Sequence, residues 1–346
     1  MVDKIYLIKL NVKDLIVYFF MAIRIKTKNS RLIIRSSTWS FIKEGRRTHG
    51  YTFLDWLHGY IYARWPYLYI GIGVGEHPLS TKLAPLWSFF ERVFLTNREE
   101  TTGSQQERIT FADSYHGKVV PLEAARQLVM VNEEIRLTNL EKIIPYARAR
   151  DIILKNPDHI IALECPCRSA RAEPCLPLDV CLIVGEPFAS FVADHHPRRS
   201  RWITSEEAAE ILRAEDVRGH VHHAFFKDAM LGRFYAICNC CSCCCGAMQA
   251  HQGGTPMLAA SGYTSQVNPE LCIACGDCVE VCQFGSLQIE DGIVVVDQRM
   301  CMGCGVCVSH CEQGALELVR DSSKGEPLEI FKLYQAASER SSYSYG

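Results

Sequence analysis

Cys272-Ile-Ala-Cys-Gly-Asp-Cys-Val-Glu-Val-Cys282 returns 29 residues later as Cys301-Met-Gly-Cys-Gly-Val-Cys-Val-Ser-His-Cys311. Both runs read C-x2-C-x2-C-x3-C, and each is followed by a glycine, Gly285 or Gly314, and a short apolar stretch. Between them Gly292 separates Leu287-Gln-Ile from Ile293-Val-Val-Val, the pattern of a hairpin. Three thiolates two residues apart wrap one face of a cubane within a tight loop, and Gly276 and Gly305 let backbone amides approach the sulfurs. The fourth ligand must then come from elsewhere in the chain. Zinc ribbons instead use two separated C-x2-C pairs, so a duplicated four-cysteine run points to iron and sulfide.

Across about residues 263–320 the sequence resembles the bacterial-type dicluster 4Fe-4S ferredoxin family. In that family the fourth cysteine of each run ligates the other cluster. The resemblance therefore implies one ligand set of Cys272, Cys275, Cys278 and Cys311, and a second of Cys301, Cys304, Cys307 and Cys282. It implies two 4Fe-4S clusters held close together, and electron transfer as the function. The chain departs from the family pattern after each fourth cysteine, where Gln283 and Glu312 replace the usual proline. That departure bears on the local turn and the cluster potential, not on ligation.

Ten more cysteines lie upstream. Cys165-Pro-Cys-Arg168 is followed by Cys175 and Cys181, and Cys238-Asn-Cys-Cys-Ser-Cys-Cys-Cys-Gly246 packs six cysteines into eight residues. Thiols at this density are open to oxidation and scrambling, and protonated ones gain little over alanine or valine in a core. If the run stayed extended, strand alternation would place Cys238, Cys240 and Cys244 on one side and Cys241, Cys243 and Cys245 on the other. With Cys165, Cys167, Cys175 and Cys181 they are candidate ligands for an additional iron-sulfur cluster or for zinc, or thiols used in redox sensing or metal transfer. The residues leave those three readings open. Arg168 is placed to offset the charge of an anionic cluster. Roughly from 160 to 320 the chain also resembles uncharacterised 4Fe-4S dicluster proteins. In these a C-x-C-R segment, a later P-x-x-x-C and a C-N-C-C-x-C-C-C stretch precede a ferredoxin module. Here those are Cys165 to Arg168, Pro177 to Cys181, and Cys238 to Cys245. This second resemblance implies electron transfer and names no upstream cofactor. His195, His196, His220, His222 and His223 lie between the two cysteine groups and are expected to be satisfied by hydrogen bonds rather than to ligate.

Cysteine is the outlier of an otherwise ordinary globular composition: 18 of 346 residues, with 48% hydrophobic and 22% charged residues overall. A secreted disulfide scaffold is not expected. The apolar run at 15–23 is short, flanked by basic residues on both sides, and followed by no A-x-A-like site. A reduced, cytoplasmic setting follows, and no run approaches the roughly 18 apolar residues of a membrane span. The net charge of -2 hides an asymmetry, since residues 1–50 hold 11 Lys and Arg against 3 Asp and Glu. The remainder is acidic, which argues against nucleic acid as a partner. The basic arm suits a protein partner or peripheral contact with a membrane surface. Gly71-Ile-Gly-Val-Gly75 lacks the spacing of a dinucleotide fingerprint, and there is no P-loop, G-x-S-x-G or H-E-x-x-H.

Residues 39–94 contain 14 of the 34 aromatic residues and four of the five tryptophans. Thr52 is a candidate cap for a helix carrying Phe53, Trp56, Leu57, Tyr60 and Ile61, and Pro85 a candidate start for another. Residues 97–106 read as a linker. From Pro121 to about 155 the spacing predicts helices, through Leu137, Leu140, Ile143 and Ile144 and again over 147–154. Residues 158–164 read as a buried strand, and Thr204-Ser-Glu-Glu207 as a helix cap. The expected fold class is α+β: a C-terminal ferredoxin-like dicluster module of two short hairpins and two short helices, after a mostly helical α/β cysteine-rich domain. The expected organisation is a basic, aromatic docking region at 1–106, the cysteine-rich domain at 107–260, the dicluster domain at 261–320 and a polar tail at 321–346. The expected role is an electron carrier or oxidoreductase subunit serving a redox partner protein. The rivals are an oxidoreductase with a catalytic metal centre in the Cys165/Cys238 region and a zinc or thiol redox sensor. The acidic residues Asp277, Glu280, Glu290, Asp291 and Asp297 around the module suit an electropositive partner.

Overall fold

The computed structural model describes residues 35–76, 111–138 and 140–343. The apolar run at 15–23, the helix expected at Pro85 and the 97–106 linker lie outside them.

Upstream of the ferredoxin-like runs the strands are β1 (Tyr115–Val119), β2 (Ile135–Leu137), β3 (Ile152–Leu154), β4 (Ile160–Leu163), β5 (Cys181–Val184), β6 (Ser200–Ile203), β7 (Val221–Lys227), β8 (Arg233–Cys240) and β9 (Leu258–Ala259). Seven of them form one sheet in the order β6-β4-β5-β8-β7-β1-β9. All its neighbours are antiparallel except β1 and β9. Every residue of β7 is buried, as expected for a central strand covered on both faces.

Alternation along the strands divides the core in two. Ile160, Ala162, Leu182, Val184, Ala224, Phe226 and Ile237 face the helices Leu122–Val129 and Ser205–Val217. Ile161, Leu163, Ile183, Val221, Phe225 and Ala236 face the other way, toward the helices Ser36–Arg47, Phe53–Arg64 and Phe188–His195. Phe41 meets Phe188 and Phe191 edge-on at 5.9 and 5.8 Å, contacts worth about 1 kcal/mol each beyond the area they bury. The helix Phe53–Arg64 opens with the expected Thr52 cap, completed as a capping box by Asp55. Thr204 caps the helix Ser205–Val217 by accepting from the Glu207 amide at 3.2 Å.

The segment from 121 to 155 departs from expectation. Its helix stops at Val129, and the apolar spacing beyond it belongs to β2, a run of turns and β3. Pro145 cannot donate a helical hydrogen bond, and Ala149 has a φ of 52° that no right-handed helix accommodates. Ile152 and Leu154 then pair across β2 with Leu137 and Ile135, where branched side chains suit the pleat better than a helix. The mixture of helices and strands is as expected, with more of it strand than the apolar spacing assigned.

The C-terminal part adds β10 (Tyr263–Val267), β11 (Leu287–Glu290), β12 (Ile293–Val296) and β13 (Leu316–Arg320). β11 and β12 form the expected hairpin, turned at Asp291 and Gly292. β10 pairs with β13 antiparallel, so the second strand pair joins the two ends of the module rather than neighbours in sequence. Among the described residues no helix is long and apolar enough to cross a membrane.

Candidate metal centres

Gly276 and Gly305 hold φ values of 96° and 86°, a left-handed backbone that glycine adopts without steric cost. Each starts a single helical turn, Asp277–Glu280 and Val306–Ser309, which presents the third cysteine of its run. The two turns lie against each other, and β10 with β13 closes the loop ends around them. Two cavities of about 20 Å³ result. One is walled by Cys282, Cys301, Cys304 and Cys307, the other by Cys272, Cys275, Cys278 and Cys311. Each gathers three cysteines of one run and the fourth of the other.

This donor set fits a 4Fe-4S cluster. Four thiols surround each cavity, and backbone amides aim at the sulfurs: Ser265 N–H to Cys301 Sγ at 3.5 Å, Ser286 N–H to Cys282 Sγ at 3.4 Å and Ala315 N–H to Cys311 Sγ at 3.2 Å. Such bonds stabilise the thiolate charge and tune a cluster's potential. The cavities differ in exposure. Cys301 and Cys307 are buried, whereas Cys275 is exposed and Cys272 and Cys311 are half-buried. Burial pushes the Cys307 thiol up to about 11, so metal binding must displace a proton there at neutral pH.

The inner cavity adjoins the upstream domain. Phe284, Met302 and Val306 pack into the same apolar cluster as Cys240, Cys245 and Met248. Gln283 makes the polar part of the joint. Its Oε1 accepts from the Ser242 N–H at 2.9 Å and the Ser242 hydroxyl at 3.0 Å, while its Nε2 donates to the Gly219 carbonyl at 3.0 Å. Proline at this position supplies none of these bonds. Glu312, the equivalent residue after the other run, is exposed.

The upstream thiols fall into two groups, but not as strand alternation divides them. β8 ends at Cys240, and residues 241–245 form a turn in which the Cys245 amide donates to the Cys241 carbonyl at 3.0 Å. Turning the chain exchanges the expected places of Cys244 and Cys245. Cys244 joins Cys241, Cys243 and Cys175, whose sulfurs all lie within 4.8 Å of one another. The Cys175 sulfur is 3.3 Å from that of Cys243, 3.6 Å from Cys241 and 3.7 Å from Cys244. A tetrahedral ion with bonds of about 2.3 Å holds its sulfurs about 3.8 Å apart, so this group has the dimensions of a one-ion site. Cys243 is its exposed corner.

The other six sulfurs form a ring. β5 and β8 pair Leu182 with Ile237, which sets Cys181 beside Cys238 with their sulfurs 3.9 Å apart. Cys181 neighbours Cys165, Cys165 neighbours Cys167, Cys167 neighbours Cys245, and Cys245 neighbours Cys240. Cys240 and Cys238 share one face of β8. The ring surrounds a cavity of about 70 Å³ lined also by Tyr62, Tyr115, Tyr235 and Phe225. Cys241 and Cys244 reach its wall, so the two thiol groups adjoin. Hydrogen bonding to Cys167, with burial, pushes the Cys165 thiol up to about 12. Burial does the same to Cys240, against a bond with Cys245 that pulls it down.

Arg168 borders this cavity, but its charge is already matched. Its Nη2 donates to Glu215 Oε2 at 2.5 Å with both side chains buried, and its Nη1 donates to the Pro177 carbonyl at 2.6 Å. Burial pushes the Glu215 carboxyl up, yet donors from His220 and Arg168 hold it below the ordinary range. A second cation near the cavity, not singled out by sequence reasoning, is Lys227. It is buried at the end of β7, its Nζ 4.9 Å from the Tyr62 ring centre and 4.8 Å from that of Tyr115. Burial lowers it to about 8. Its only signal was a lysine ending a run of apolar residues.

Four of the five histidines between the cysteine groups hydrogen-bond through one ring nitrogen, though His195 Nδ1 and His222 Nε2 have no such partner. His195 pairs with Thr38, His196 with the Ala63 carbonyl, His220 with Glu215 and His222 with Asn239. His223 differs, being buried with neither ring nitrogen hydrogen-bonded.

No curated protein matches the chain. Two stretches do match a family, and they are the ones that wall the paired cavities: residues 265–288 and 294–317 are two repeats of the 4Fe-4S binding domain.

Proposed function

We propose that this chain is an electron-transfer protein with two 4Fe-4S clusters in its C-terminal module, the outer held by Cys272, Cys275, Cys278 and Cys311 and the inner by Cys301, Cys304, Cys307 and Cys282. The observation that carries this reading is the crossed composition of the two cavities, each walled by three cysteines of one run and the fourth of the other. When bound, each cluster supplies one-electron storage at a potential set by its surroundings. The chain's own residues provide those surroundings. Amides of residues 265, 286 and 315 donate to sulfurs. Phe284, Met302 and Leu318 keep water from the inner site.

The outer site is where a redox partner docks. Leu271, Ile273 and Ile289 are 47, 65 and 46% exposed around it, and Asp277, Glu280, Glu290 and Asp291 rim the patch. An apolar centre with an acidic rim suits an electropositive partner protein. Asp297 belongs less to this face, since it is half-buried and accepts from the Arg299 amide at 2.9 Å. Cys175, Cys241, Cys243 and Cys244 hold a single ion, zinc by its preference for a tetrahedral thiolate shell. A shell closed by four thiolates leaves no position for substrate, which favours the carrier over a catalytic metal centre at that group. Eighteen free thiols suit the reducing conditions of a cytoplasm.

Electron paramagnetic resonance of the anaerobically purified, dithionite-reduced chain tests the reading. Two interacting iron-sulfur signals are expected, one lost in Cys275→Ala and the other in Cys304→Ala. Absence of any reduced iron-sulfur signal, or both variants matching the parent, overturns it.

A further inference from the structure

We propose that the cavity ringed by Cys165, Cys167, Cys181, Cys238, Cys240 and Cys245 is a third iron-sulfur site, distinct from both cavities of the C-terminal module and from the four-thiol group. The proposal rests on the two-cluster reading only for the class of cofactor that the chain carries.

Four observations support it. First, the sulfurs are arranged around a space rather than around a point. Among the described residues, Cys175, Cys241, Cys243 and Cys244 are the one group of three or more ligand side chains whose donor atoms lie within 4.8 Å of one another. No three of the six ring sulfurs converge that closely, and neither do the eight of the C-terminal module. A single ion needs convergence. A polynuclear cluster does not, because each thiolate binds a different iron.

Second, the cavity has the room, about 70 Å³ against about 20 Å³ for each module cavity. Third, six donors exceed the four that a tetrahedral ion takes. The Cys181 and Cys238 sulfurs are 3.9 Å apart, almost twice the roughly 2.05 Å of a disulfide, and every ring cysteine is a free thiol. Cys165, Cys181, Cys240 and Cys245 are buried and Cys167 and Cys238 half-buried, so most of the ring is shielded from water.

Fourth, the position suits the cofactor. Cys240 and Cys245 share an apolar cluster with Phe284, Met302 and Val306 of the inner module cavity, and Gln283 fastens the two parts through Ser242. A bound cluster here extends the row from outer cavity to inner cavity by one more one-electron centre. On the far side Tyr62, Tyr115 and Tyr235 line the cavity, with the Tyr62 and Tyr235 hydroxyls 2.7 Å apart and Lys227 behind the rings. That cation stands where the negative charge of a thiolate-bound cluster needs balance.

Counting iron, acid-labile sulfide and zinc per chain decides the matter, using the full chain purified and reconstituted with ferrous iron and sulfide under anaerobic conditions. About twelve iron atoms with a matching sulfide count and one zinc are expected, since two cubanes account for only about eight. About eight iron atoms overturn the third site, with one zinc or with two, and leave the two-cluster reading standing. Fewer than about eight overturn the two-cluster reading itself. Variants locate the extra iron. Cys165→Ala/Cys238→Ala is expected to lose about four iron atoms and keep its zinc, and Cys175→Ala/Cys243→Ala to lose zinc and keep its iron. Loss of the extra iron from the second variant with retention by the first contradicts the assignment. If either double variant fails to fold, the parent count still decides.

Discussion

A proline after Cys282 would leave the Ser242 amide and hydroxyl without their acceptor and the Gly219 carbonyl without its donor. Gln283 supplies all three bonds, and this explains a departure from the ferredoxin pattern that was visible in the sequence but had no partner there to give it meaning. Gln283→Pro is expected to lower stability by about 2 kcal/mol, at roughly 1 kcal/mol per net hydrogen bond with one offset by proline's lower unfolded entropy. Denaturant unfolding measures this, and an unchanged midpoint would count against the joint. His116 makes a second prediction at this scale. It is buried between Tyr146 and Phe226, its Nδ1–H donates to the Ala112 carbonyl at 2.8 Å, and burial holds it at about 4. In the unfolded chain it titrates near 6.5. Between those values the unfolded state binds the extra proton, so stability is full above pH 6.5 and falls as the pH drops toward 4. The loss is about 1.4 kcal/mol per pH unit, reaching roughly 3 kcal/mol. Replacing His116 by phenylalanine should remove about one proton from the acid slope of unfolding, and an unaltered slope would show that the imidazole does not titrate there.

At the scale of elements, the legible parts were those where one local rule met no competitor. The duplicated cysteine runs, the hairpin at Gly292, the caps at Thr52 and Thr204 and the strand at 158–164 each follow from spacing or a single residue. Residues 137–154 differ from the helices expected there because apolar spacing is shared by a helix face and by short strands joined through turns, and only pairing with β2 decides for the latter. The six cysteines at 238–245 depart from strand alternation for a related reason. A strand period applies to Cys238 and Cys240, and the turn that follows sends Cys244 and Cys245 to opposite groups. Gly303 tests the packing that shapes the inner cavity. It has a φ of 65°, and a Cβ there would lie 2.1 Å from the Tyr263 carbonyl oxygen at the start of β10. Gly303→Ala is expected to break the contact between the second cysteine run and β10, with a loss of about 3 kcal/mol or more and release of the inner cluster's iron. A variant as stable as the parent, with its iron count intact, would show that the loop yields freely.

At the scale of the whole molecule, both sheet faces carry a hydrophobic core, and one of them also gathers the upstream ring cysteines. The ends of β4, β5 and β8 deliver Cys165, Cys181, Cys238 and Cys240 to the face covered by the aromatic N-terminal helices, and the C-terminal module seats its inner cavity beside them. The eight C-terminal cysteines could be grouped before the structure because their duplicated spacing resembles a family in which the fourth cysteine of each run ligates the other cluster. The ten upstream ones could not, since their grouping depends on which strands pair and where β8 ends. The same applies to Lys227 and to Tyr62 and Tyr115, which lie more than a hundred residues before it and meet it only in the fold.

The central claim is that the C-terminal module stores electrons on two clusters. Coulometric reduction of the anaerobic full chain tests it most directly, by counting electrons taken up per chain in the parent and in Cys275→Ala/Cys304→Ala. The account predicts that the parent takes up two more electrons than the double variant, each in a one-electron step. Equal uptake by the two proteins, or no reversible uptake by the parent, would contradict it.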